Sequence, residues 1–179
     1  MAELYVRRTG ATSTTPVNDD NPLPIDIVSL PEGQAFDTDY VTVPGIVAGA
    51  AYASGDAMGT RFQVAVPKAG YITTVLTLDL DKEQLDFDLL LFKQAFAPTA
   101  DNSAMDLADG EHHRFAGHIS VLSTHFAALN DSAVATTRLA PPLHYSAPNG
   151  YLWIQLTTRG AQNFTAADDL RLALRIQPL

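Results

Sequence analysis

Five acidic residues, Asp79, Asp81, Glu83, Asp86 and Asp88, crowd into residues 79–88 and offer the densest set of oxygen donors in the chain. Calcium takes about six to eight oxygens, often from loops, so a site built on Asp79, Asp81, Asp86 and Asp88 is the first chemistry to weigh. The stretch departs from the Asp-x-Asp-x-Asp-Gly spacing of an EF-hand, and Lys82 sits inside it as a counter-charge. A solvated hairpin end explains the same residues without a metal. Of the five histidines, His112 and His113 stand beside Asp109 and Glu111. Neighbouring residues on a strand point to opposite faces, so this pair chelates one ion only if a loop bends it. Neither His-x-Glu nor His-Glu-x-x-His occurs, and a solvent-exposed loop pair is the simpler reading.

Covalent catalysis finds little support. The chain has no cysteine, which removes thiolate nucleophiles, thiolate metal ligands and disulfides. No Gly-x-Ser-x-Gly elbow is present; the nearest string, Tyr52-Ala53-Ser54-Gly55-Asp56, reads as a loop leading into the strand that carries Arg61. Asp101, Asp106 and Asp109 could supply paired carboxylates but fall in a loop, and neither glycine-rich phosphate motif occurs. The expectation is a protein that is not an enzyme and needs no cofactor. Tyr151 and Trp153 are different in kind. They occupy the polar side of a strand whose other side is apolar, where aromatics contact a partner or a sugar ring, or are covered by a second sheet, an arm or a neighbouring copy.

The elements that must position these groups read as strands. Phe62, Val64 and Val66 alternate with Arg61, Gln63 and Ala65, and the turn 67–70 leads to a second strand over 71–78, which predicts two adjacent strands. Leu85, Phe87, Leu89 and Leu91 mark a strand with a wet start and a covered end, and a weaker one runs from about Ala116 to Val121. Leu152, Ile154 and Leu156 follow a Pro-Asn-Gly turn, and Leu170, Leu172, Leu174 and Ile176 alternate with Arg171, Ala173, Arg175 and Gln177. Arg171 and Arg175 could pair with a neighbour or, more simply, within their own sheet. Helical signals are confined to 101–108 and 123–129 and are too short to organise a fold. The pattern predicts an all-β protein, an antiparallel β-sandwich of jelly-roll type over residues 41–179.

Residues 1–40 differ. Prolines at 16, 22, 24 and 31 and a polar run over 9–21 disfavour core elements, so this segment reads either as an extended N-terminal arm or as a tail. Interspersed Leu4, Tyr5, Val6, Ile25, Ile27 and Phe36 favour an arm that packs on something. At 179 residues the chain suits one domain, and 46% hydrophobic residues can build a core. A net charge of −9, from 20 acidic against 11 basic residues, repels phosphate backbones and argues against nucleic-acid partners. No apolar run reaches the ~20 residues of a membrane span and no secretory leader opens the chain, so a soluble protein made in the cytoplasm is expected.

Three segments, taken together, carry a family likeness. The first is Ala51-Tyr52-Ala53-Ser54-Gly55-Asp56-Ala57-Met58-Gly59, of the form AYxxGDxxG. The second is the strand 85–92 ending in LLLF, followed by Pro98-Thr99-Ala100-Asp101-Asn102-Ser103-Ala104. The third is the stretch 152–170, with Thr157-Thr158-Arg159-Gly160 and Phe164-Thr165-Ala166-Ala167-Asp168-Asp169-Leu170. In order and spacing over residues 50–176 they resemble a family of tailed-phage virion proteins, small structural proteins encoded among head genes. Gln162 replaces a proline of that pattern, and residues 1–40 carry no matching motif. The resemblance implies a decoration, or cement, protein on the capsid exterior of the virion, with the major capsid protein and copies of itself, as a homotrimer, for partners. Leu4, Tyr5, Val6, Arg7 and Arg8 are then the candidate anchors on the shell, beside Tyr151 and Trp153. Competing expectations are a neck, tail or fibre-base position, and a carbohydrate-binding, adhesin-like sandwich using Tyr151, Trp153 and the acidic loop.

Overall fold

The computed structural model describes residues 34–179 and, before them, the backbone of two short strands, β1 (Tyr5–Val6) and β2 (Thr15–Pro16), which pair antiparallel with each other. The expected anchors Leu4, Arg7 and Arg8 lie outside the described residues, as do the side chains of Tyr5 and Val6 and most of the expected arm.

From residue 34 onward the chain is built from β3 (Phe36–Asp37), β4 (Val41–Thr42), β5 (Ala57–Ala65), β6 (Ala69–Asp79), β7 (Phe87–Phe92), β8 (Phe115–Val121), β9 (Phe126–Ala128), β10 (Ala133–Ser146), β11 (Tyr151–Thr158) and β12 (Leu170–Pro178). One sheet runs β3-β12-β6-β10-β9, with β4 also on β12; the other runs β5-β11-β7-β8. Every pairing is antiparallel, and they nest: β4 with β12, β5 with β11, β6 with β10, β7 with β8. A long hairpin rolled so that its successive pairs alternate between two sheets is the jelly roll, the all-β sandwich that the alternation predicts. β3 lies in the range read from the sequence as arm. It pairs with β12, and Arg175 grips Asp37 through two N–H groups at 2.8 Å each, an ion pair within the sheet that holds the Asp37 carboxyl below its usual range.

Period-two alternation places the core. Phe62, Val64, Leu152, Ile154, Leu156, Phe87, Leu89 and Leu91 line the inner face of the smaller sheet, against Ile72, Val75, Leu170, Leu172, Leu174 and Ile176 from the larger one.

Two expectations are overturned. β5 and β6 are not neighbours in one sheet: the connection between them crosses the sandwich, and the two strands belong to opposite sheets. Alternation says which face of a strand is buried, and two strands whose apolar faces meet across a core alternate just as two paired strands do. The second concerns residues 101–108, where no helix forms; the short helical signal at 123–129 does give one turn, the 3-10 turn Ser123–His125, before the chain enters β9. A strand the sequence concealed is β10, the longest at 14 residues. The inward side chains of its first half are small (Ala133, Ala135, Thr137), and Pro141-Pro142 interrupts it at an irregularity between Arg138 and Leu143 before the buried Tyr145, so it lacks the run of alternating large apolar residues that marks the other strands.

Leu89 is fully buried on an inner strand. Leu89→Ala is expected to lower unfolding free energy by about 2–5 kcal/mol, measured by urea denaturation.

Candidate functional site

The three segments that carry the family likeness meet, and Asp101 is where the first two join. The loop between β7 and β8 folds back over the start of β5, so that Asp101 accepts hydrogen bonds from the Tyr52 hydroxyl at 2.7 Å, from Gly59 N at 2.6 Å and from Val47 N at 3.0 Å. Burial and the adjacent carboxylate push the Tyr52 phenol up, which keeps it a donor. Gly59 has φ +68°, and a Cβ there would meet Pro44 O at 2.5 Å and Val43 Cγ1 at 2.9 Å, so the last glycine of AYxxGDxxG is required by both conformation and space. Backbone bonds extend the junction: Ala57 N to Ser103 O, Asn102 N to Ala57 O and Met105 N to Gly55 O.

The third segment closes it. Gly55 N donates to Thr158 O, Thr158 N to Asp56 O, and Tyr52 N to Gln162 O. Gln155, buried at 0% exposure, takes Thr99 N on Oε1 and donates through Nε2 to Thr99 O and Gly59 O, so its amide is satisfied at both ends. The loop 98–105 is thereby pinned to both β5 and β11. These residues bond to one another, and their chemistry is that of a fastening.

The acidic stretch is dispersed in the same way. Asp79 falls in phase with Val75 and Thr77 on the inner side of β6 and is fully buried, where its two oxygens take Asp81 N at 3.1 Å and Gln84 N at 2.7 Å. Desolvation pushes its carboxyl up despite those bonds. Asp81 holds the 160s loop through Thr165 N and Oγ1, at 2.9 and 3.0 Å. Asp86 accepts from Ser123 N, and Asp88, buried on β7, accepts from Ser120 Oγ and from the Arg159 guanidinium. The four carboxylates weighed as a calcium site against a solvated hairpin end thus turn to four different neighbours, and among the described residues no group of three or more acidic, histidine or cysteine side chains could hold a metal ion. His112 and His113 lie exposed on the 3-10 turn Asp109–Arg114.

Tyr151 and Trp153 do project from the outer face of the smaller sheet. Tyr151 is 42% exposed and Trp153 half-buried. Trp153 sits in a row that the sequence did not assemble: the Arg61 guanidinium carbon lies 5.0 Å from the Trp153 ring centre and 6.0 Å from that of Phe96, Phe96 stacks on Phe92 at 3.9 Å, and Phe92 meets Phe115 edge-on at 5.5 Å. Arg61 and Trp153 were each readable as outward residues of their strands. Their juxtaposition depends on the β5–β11 register, which pairs Gln63 with Trp153 and Ala65 with Tyr151.

Asp101→Ala strands three donors, and a loss of about 2–3 kcal/mol in urea denaturation is expected, with weakened hydrogen-exchange protection at Gly59 and Ala57. Asp79 sets a pH dependence. A carboxyl whose folded value is raised contributes stability that is fully present below its unfolded value, about 3.9, and is lost as the pH rises through the folded value. The stability of the wild type relative to Asp79→Asn is therefore expected to increase as the pH falls from about 7 towards 4, measured as the difference in urea midpoints.

Compared with protein-family models, with curated proteins and with solved structures, the chain matches none.

Proposed function

We propose that this chain is a non-enzymatic structural protein of a tailed-phage virion, a decoration protein that binds the outside of the major capsid shell and stabilises it. The observation that carries the reading is the junction around Asp101. The residues of the family likeness, scattered over more than half the sequence, are the ones that interlock Tyr52, Gly59, Thr99, Asp101 and Thr158, so the likeness lies in residues that the fold uses rather than in strand composition alone. A rigid jelly roll suits a cement role, because capsid symmetry multiplies modest contacts and no single strong site is needed. The anchors proposed for the shell are Leu4, Tyr5, Val6, Arg7 and Arg8, and self-association as a homotrimer would match a threefold position on the lattice.

The test is mixing with undecorated shells after the oligomer size has been measured by light scattering. The full chain is expected to saturate shells at hundreds of copies per particle, and a chain lacking residues 1–20 to stay folded by circular dichroism but not to bind. A dozen copies or fewer would place the protein at the neck or tail instead, and normal occupancy by the truncated chain would remove the anchor assignment.

A further inference from the structure

On the outer face of the smaller sheet, Arg61 is a cation without a counter-charge among the described residues. The ion pairs of the described residues use Arg114, Arg159, Arg171 and Arg175, and among those residues Arg61 has neither a carboxylate partner nor a hydrogen-bond acceptor. Its guanidinium is held instead by ring faces, between Trp153 and Phe96. Contact with ring faces leaves the N–H donors of the fork without a bonded acceptor among the described residues, and such a fork can receive a carboxylate through two parallel hydrogen bonds. Phe96 is itself locked, 1% exposed and stacked on Phe92, so the fork rests on an ordered wall.

What surrounds Arg61 narrows the ligand. The exposed Gln63 amide lies on the same strand opposite Trp153, and beyond it Tyr151 presents an open ring opposite the small Ala65. An unpaired fork, an amide and an exposed aromatic ring along one sheet face match a pyranose that carries a carboxylate: the acid on Arg61, hydroxyls on Gln63, the apolar C–H face of a neighbouring ring on Tyr151. The net charge of −9 opposes every polyanion at long range, so the attraction for an acidic sugar comes from the local Arg61 cation. We infer that this face is a binding surface for an acidic, hexuronate-containing polysaccharide, with Arg61 as the carboxylate receptor and Tyr151 as the stacking platform. The inference is independent of where in a virion the protein sits.

The chain has one tryptophan, and it lies in this surface, so intrinsic fluorescence reports the site directly. Titration of the full chain with oligogalacturonate is expected to change the Trp153 emission saturably, and neutral cello-oligosaccharide of the same length to bind about tenfold more weakly or worse. Arg61→Gln should lose about tenfold for the acidic ligand, Arg61→Lys should recover only part of it, and Tyr151→Ala should weaken sugar binding while leaving the far-ultraviolet circular dichroism unchanged. Oligoglutamate serves as the peptide arm. Equal response to acidic and neutral sugars, full binding by Arg61→Gln, no response to oligogalacturonate, or tighter binding of oligoglutamate than of the sugar acid would each overturn the assignment.

Discussion

A carboxylate on the long loop between β7 and β8 takes a phenol and two backbone N–H groups from a different part of the chain, and much else is arranged around that contact. Asp101 cannot make it unless Gly59 has positive φ and lies close against Pro44, unless Tyr52 is buried with its hydroxyl inward, and unless the loop is held down at Thr99 by Gln155. Each of those requirements recruits another element. Gln155 is on β11, Gly59 on β5, and Thr158 at the end of β11 exchanges backbone bonds with residues 55 and 56. A charged acceptor with several donors is worth more than the same number of neutral bonds, and losing it leaves the donors without partners, so the arrangement is all-or-none in character.

The jelly roll supplies the frame in which such a contact is possible. Its nested pairs bring residues 41–42 against 171–172 and residues 57–65 against 151–157, so most of its order is long-range and little of it is secured by local propensity. The loop from Lys93 to Arg114 covers part of the smaller sheet's outer face, and where it lies down, the sheet's outward residues become buried: Gln155 and Phe92 are interior groups on what alternation alone would make a wet surface. Where the loop ends its cover, Trp153, Arg61, Gln63 and Tyr151 remain accessible. The same loop thus finishes the fold and sets the edge of the exposed aromatic surface.

The acidic residues divide by the same logic. Asp79 is buried because β6 keeps strict phase with Val75 and Thr77, and it is tolerated because the turn after it brings two N–H groups back onto its oxygens. Asp81, Asp86 and Asp88 each fasten a different neighbour, to the 160s loop, to the turn at Ser123 and to Arg159. A dense acidic string in sequence therefore becomes a set of separate loop anchors. Chain proximity brings carboxylates near one another, but their orientation follows the loops that need acceptors.

The sequence by itself determined the all-β class, the sandwich, and the inward faces of β5, β7, β11 and β12, because a strand buried on one side must alternate large apolar residues with polar ones. It also carried, in Tyr52, Gly59, Asp101 and Thr158, the residues that lock the fold, although nothing in their spacing says that they touch. Tertiary structure alone decided which strands are neighbours: it put β5 and β6 in opposite sheets and drew β10, with its paired prolines and the small inward residues of its first half, into the larger one between β6 and β9. It likewise decided that the acidic residues separate and that Arg61 lies between Trp153 and Phe96. Periodicity records whether a side chain faces water or the core, whereas partner choice depends on register and on loops that cross between sheets, and neither leaves a local mark in the order of residues.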